Sequence, residues 1–312
     1  MTETATRTGL PPATADRPRS RSGGRAKAYN RESRRSTLLT VLLWICALYF
    51  VLPIVWLFIA STKSNGDLFT TFGFAFGHTF ELFSNIGAVF TAQNGIYAHW
   101  AINTLVYAVV SATGASLLAT MAGYAFAKYR FPGAVLMFSV VLGAIMIPLT
   151  ALALPTYLMF SQIGITNTPA AVIVPSLVSP FGVFLMRVYA ADAIPDSMIE
   201  AGRVDGAGEF RIFWQVGLRL LAPGIVTVFL FALVGTWNNY FLPLIMLNSS
   251  QLYPLTVGLA QQQATSAAGG GSQALFSVVI TGSLVSIIPL VIAFLFLQRY
   301  WTTGLASGSV KE

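Results

Sequence analysis

The sequence predicts an all-α polytopic membrane protein, with six transmembrane helices and one short cytoplasmic helix set between the fourth and the fifth. Three observations carry this expectation. The chain of 312 residues is 55% apolar and only 9% charged, with a mean hydropathy of +0.70, whereas a soluble domain is about 45–50% apolar and about 25% charged. Six stretches, at 37–60, 101–124, 134–160, 170–189, 220–247 and 275–298, are long and apolar, and a helix needs about 20 such residues to cross the hydrocarbon core. With the N-terminus inside, 17 of the 18 Lys and Arg fall on the cytoplasmic side and Lys63 alone outside, as the positive-inside rule requires.

Taken in order, residues 1–36 hold nine Lys and Arg between positions 7 and 35 among Ser, Thr and Pro. Such a segment reads as a disordered basic cytoplasmic arm lying near anionic lipid. The first apolar run is too long for the core of a cleaved signal peptide, about 7–15 residues, so it is expected to stay as a span. Cys46, the one cysteine, lies inside that run and reads as a small buried apolar residue. The following loop, 61–100, is long, aromatic and nearly uncharged. In the second span Ser111, Ala115, Ala119 and Gly123 recur every four residues, a seam that lets backbones approach closely in lipid. The third and fourth spans contain Pro148, Pro155, Pro175 and Pro180; kinks and broken helices lining a pathway are the two readings. The fifth carries Trp237, Asn238, Asn239 and Tyr240, which read either as aromatic-belt residues capped by amides or as groups lining a substrate pathway. AAGGGSQ, within the loop before the sixth span, reads as a flexible tip. The domains expected are therefore the arm, 1–36, and a six-helix transmembrane domain, 37–312.

Several function classes drop out. The positive charge sits beside the spans rather than in a patch of its own, so nucleic acid is not a partner, although membrane lipid is. His78 and His99 are 21 residues apart with no Cys near them, a poor start for a metal site. No G-x-x-x-x-G-K-[ST] occurs, so the chain binds no ATP through a phosphate loop of its own. No Asp, Glu, Lys, Arg or His lies in 38–61, in 134–185 or in 220–298. Proton-coupled transporters and intramembrane enzymes place such groups inside the bundle, so proton coupling and acid–base catalysis are both disfavoured. Sodium held by backbone carbonyls stays open. The simplest expectation is that energy enters from another protein.

The candidate point of input is IEAGRVDGAGEFRIFWQV at 199–216. Nine of the chain's 29 formal charges lie between Arg187 and Arg219. Pro195 and Asp196 suit a helix start. Met198, Ala201, Gly202 and Asp205 follow helical spacing on a face of small and mixed residues, and Asp205-Gly206 is a turn dipeptide. The pattern predicts helix, sharp glycine turn, helix, running back into the fifth span. A small face permits close insertion into a partner's groove.

This segment resembles the EAA loop of ABC-importer permeases, EAA-x3-G-x9-I-x-LP. Glu200-Ala201-Gly202 is followed after three residues by Gly206, and after nine more by Val216-Gly217-Leu218-Arg219. The departures are Gly202 for Ala, Val216 for Ile and Arg219 for Pro; Pro223 is the substitute for the missing kink. FGVFLMR, WNNYFLPLIML, YAFAKYRFPG and LQRYWTTGLASGSV are similar to the carbohydrate, maltose-permease-like branch, over about 37–312. The resemblance implies a multi-pass permease of a prokaryotic inner or plasma membrane, with both termini cytoplasmic. The loop at about 190–219 would couple to an ATPase subunit through Glu200, Ala201, Gly202, Asp205 and Gly206. It implies a second homologous permease chain, two ATP-binding subunits that use ATP and Mg, an extracytoplasmic solute-binding protein and a sugar substrate. This chain itself would be non-catalytic and bind no cofactor. An ion-coupled secondary transporter, or an ABC permease for glycerol phosphate, a polyol or a polyamine, is the alternative.

Overall fold

The computed structural model describes residues 22–268 and 275–306, with side chains described for 37–268 and 275–298. The first part of the basic arm, the Gly269–Gly271 tip and Lys311 lie outside the described residues. The chain divides into two units, 1–55 and 56–312. In the first, the described backbone is one helix, α1 (Ser22–Ser61), whose last residues belong to the second unit. Residues 22–36 are therefore helical rather than unstructured. RAKAYNRES is rich in good helix formers, so a helix nucleated in the apolar span propagates into it at little cost.

In the second unit a short helix α2 (Asp67–Thr70) and α3 (Leu82–Thr91) precede α4 (Ile96–Lys128), which packs chiefly on α8 (Pro180–Ala193) and α11 (Leu218–Trp237). The four-residue stripe forms that contact. Ser111, Ala115 and Ala119 are buried, and a Cβ added to Gly123 would lie 2.6 Å from the Cβ of Met186 and 2.7 Å from the backbone nitrogen of Arg187. Two buried clusters flank the seam. One gathers Trp100, Tyr107, Leu233, Trp237 and Leu255; the other gathers Tyr124, Met186, Ile199, Ile212, Phe213 and Leu221.

Among the described residues, five helical stretches are long and apolar enough to cross a membrane: Thr37–Ser61, Leu82–Lys128, Pro169–Ala193, Glu209–Trp237 and Phe276–Gln298. The predicted third span is not one straight helix. It divides into α5 (Ala134–Ile145) and α6 (Leu149–Gln162), bent by 105°, and gives a sixth crossing only if the pair is one broken span. Pro148 stands at the break with extended dihedrals (φ −60°, ψ 126°), and a residue before proline is disfavoured in the helical region. The fourth is interrupted too, between α7 (Pro169–Ser176) and α8, where the Ser179 hydroxyl caps α8 by accepting from the Gly182 N–H at 3.1 Å.

The predicted fifth span, 220–247, is also corrected: α11 stops at Trp237, and α12 (Phe241–Met246) begins after a three-residue break. Pro243 explains the break. Lacking an N–H, it cannot bond the Asn239 carbonyl four residues back, and the Thr256 hydroxyl donates to that carbonyl instead, at 2.8 Å. The chain after α12 is strapped to α4 by the Trp100 indole N–H to the Ser250 carbonyl (2.8 Å) and the Tyr107 hydroxyl to the Leu252 carbonyl (2.9 Å). It then forms α13 (Leu255–Ala268) and α14 (Phe276–Ala306).

Candidate functional site

Two places carry chemistry: the polar turn between α8 and α11, and a cavity at the break that ends α11. The turn begins with α9 (Asp196–Val204), which follows Pro195 (φ −63°, ψ 138°) and carries Asp196 in its first turn and Arg203 in its last, both favourable to the helix dipole. Gly206 closes it with φ +77°. Its N–H donates to the Arg203 carbonyl at 3.0 Å, and the Ala207 N–H donates to the Gly202 carbonyl at 2.9 Å. That pair of bonds is the left-handed glycine cap of a helix end. A Cβ at Gly206 would touch nothing within 4 Å, so glycine is needed for the backbone angle and not for room. The short α10 (Glu209–Ile212) and a π-turn, Phe213–Gly217, then lead without a break into α11.

Each predicted coupling residue has a definite place. Glu200, Ala201, Asp205 and Gly206 are exposed, as is Met198. Gly202 is not on that open face: a Cβ there would lie 3.0 Å from Ile212, so its small size lets α9 close on α10. Ile199 faces inward beside Ile212 and Phe213. Exposed apolar groups accompany the charges. Val204 is 87% exposed, and Phe210 and Trp214 stack at 5.7 Å with 70% and 52% of their surface open.

The turn is held from both ends by the last residue of α4 and the one that follows it. Lys128 Nζ bonds Asp196 Oδ1 at 2.8 Å, and Tyr129 donates its hydroxyl to Glu209 Oε2 at 2.9 Å. Arg203 Nε completes the clamp on Glu209 Oε1 at 2.6 Å. The Lys128 ammonium, through its hydrogen bond and its charge, holds the Asp196 carboxyl below the usual carboxylate range. Arg203 and then Tyr129 do the same for Glu209, while Arg203 itself is pushed up by Glu209. Sequence reasoning did not find the clamp. Its partners are 68 and 80 residues apart, and the only signal was a pair of basic residues in one loop and unassigned acids in another.

The cavity has a volume of about 340 Å³. Trp237, Asn238 and Tyr240 line it, while Asn239, the fourth candidate, is engaged through its carbonyl by Thr256. Thr256 and Gln263 of α13 and Ser283 and Ser286 of α14 complete its polar lining. Nothing in the sequence marked those four; for the three hydroxyls the reason is that a hydroxyl in an apolar helix most often bonds its own preceding turn. No group of three or more His, Cys, Asp or Glu placed to hold a metal occurs among the described residues.

Broken apolar helices beside a capped polar turn define a component built to span a membrane. The chain belongs to the family of binding-protein-dependent transport system inner membrane components, whose model matches residues 115–302. It is 33% identical over 277 residues to the arabinooligosaccharides transport system permease protein AraQ of Halalkalibacterium halodurans, covering 88% of this chain and 96% of the relative. It is 28% identical to the lactose transport system permease protein LacG of Rhizobium radiobacter, covering 86% and 93%. The fold is that of a chain in the crystal structure of a bacterial ABC transporter involved in the import of the acidic polysaccharide alginate, with a TM-score of 0.75 at 24% identity, over 87% of this chain and 98% of that one.

Proposed function

We propose that this permease serves an ATP-driven importer of a sugar or oligosaccharide, and that the turn at 196–217 is where an ATPase subunit pushes. The observation that carries the reading is the continuity of that turn with α11. A rigid glycine cap, an inward anchor at Ile199 and an uninterrupted path into Leu218 convert a push on α9 into movement of a spanning helix. Glu200, Ala201 and Asp205 meet the ATPase, and the exposed Val204, Phe210 and Trp214 supply apolar surface that contact with a partner would cover. ATP and Mg are used by two such subunits. A second, homologous permease chain completes the pathway, and an extracytoplasmic binding protein delivers the solute. The turn and both termini are cytoplasmic, in a prokaryotic inner or plasma membrane. The substrate class follows the relatives, which are named for arabinooligosaccharides and lactose, and Trp237, Asn238, Asn239 and Tyr240 border the path the solute takes.

The test is cross-linking. A cysteine at Ala201 or Glu200, in an otherwise cysteine-free chain assembled with its partners, is expected to join a cysteine in the ATPase cleft, with a yield that changes between ATP-bound and nucleotide-free states. No cross-link in any nucleotide state would reject docking at this turn.

A further inference from the structure

The cavity at the end of α11 has a lining that selects chemically among solutes. We infer that it holds one uncharged, hydroxyl-rich ring of the transported solute, and that this chain itself thereby screens the solute against negative charge. The inference rests on the sugar-importer reading and adds a site and a selection rule to it.

Three features carry it. First, the volume of about 340 Å³ lies at the low end of the range for small-molecule sites, roughly 300–1,000 Å³, which suits one ring rather than a chain of them. Second, two aromatic residues line it, Trp237, itself only 7% exposed, and Tyr240. An aromatic face covers the C–H face of a sugar ring while leaving the equatorial hydroxyls free to bond outward.

Third, the polar groups are all uncharged and several of them offer acceptors. The Asn238 amide gives one N–H to the Val234 carbonyl at 3.0 Å and keeps its other N–H and its oxygen. Ser283 gives its hydroxyl proton to the Val279 carbonyl at 2.8 Å, and Ser286 gives its own to the Ser283 carbonyl at 2.7 Å, so both offer lone pairs. Gln263 brings an amide that can both give and accept. A sugar hydroxyl donates and finds three acceptors waiting. A carboxylate or phosphate only accepts, so it gains nothing from those oxygens, loses its hydration and meets no cation, because no charged side chain among the described residues lines the cavity. The site also sits where the work arrives. α11 has 20 residues, a rod of about 30 Å at about 1.5 Å per residue, with the polar turn at one end and the cavity at the other.

The test uses the complete transporter with its ATPase, partner permease and binding protein in liposomes. Uptake of a neutral trisaccharide and of the matching uronate is followed for wild type, Gln263→Ala, Ser286→Ala and Gln263→Lys, each first shown to assemble normally. Wild type is expected to carry the neutral sugar and exclude the uronate. Gln263→Ala and Ser286→Ala should raise the KM for the neutral sugar several-fold with the maximal rate nearly kept, and Gln263→Lys should admit the uronate. If wild type carries neutral sugar and all three variants keep its KM and its exclusion of uronate, the cavity is not a solute site, while the import reading stands. A Gln263→Cys variant that cross-links to the partner permease in every state would likewise overturn the proposal, since the space would then be filled by protein. If wild type carries no neutral sugar, the import reading itself falls.

Discussion

Glu209 shows how much one side chain organises here. It accepts from Arg203 at 2.6 Å and from Tyr129 at 2.9 Å, so it ties the last turn of α9, the first turn of α10 and the segment after α4 at one point. Each bond is exposed and modest by itself, but together they set the angle at which α9 leaves the bundle. Removing the charge by Glu209→Gln should lower transport a few-fold without loss of protein in the membrane, and Tyr129→Phe should reproduce part of that loss. The pH dependence has a definite sign. The carboxyls of Asp196 and Glu209 are both held below their ordinary values of 3.8 and 4.5, so the stabilisation is complete above those values and is lost only as pH falls through the lower folded ones. The clamp therefore contributes no change in transport between about pH 5 and about pH 8; a transition in that window that vanishes in Glu209→Gln would contradict the assignment. Gly206 and Asp205 could be read directly from the chain because an Asp-Gly turn is local chemistry. The Glu209 clamp could not, since its partner Tyr129 comes together with it only through folding.

At the level of the helices, the apolar runs announced where the chain crosses but not where it breaks. Hydropathy runs straight through Pro148 and through Pro243, because proline is itself weakly polar and its neighbours are apolar. What separates a kink from a break is whether another group takes the freed carbonyl. At Asn239 the Thr256 hydroxyl does so, and such a partner is visible only once α13 is folded beside the break. The small-residue stripe, in contrast, could be read from spacing alone, and Gly123 is where it is tightest. Gly123→Val would force α4 away from Met186 and the α8 backbone. Overpacking of this kind costs about 1–3 kcal/mol, so thermal unfolding of the purified complex should shift downward, whereas Gly87→Ala, inside α3 where a Cβ meets nothing within 4 Å, should not lower it.

Across the whole molecule, the absence of ionisable side chains from 220–298 and the concentration of charge around 187–219 describe one division of labour. On the function proposed above, the spans give the solute an uncharged path and the polar turn takes up work done elsewhere. The measurement that bears most directly on this account is the ratio of solute moved to ATP hydrolysed by the reconstituted transporter carrying Gly206→Val. A β-branched residue held at φ +77° is strained by about 1–2 kcal/mol, so the cap should open and the turn lose its rigidity. Hydrolysis is predicted to continue while uptake falls by about tenfold or more, the loss that removal of about 1.4 kcal/mol of coupling or more produces. Uptake per ATP equal to that of the wild type would contradict the claim that this turn carries the work.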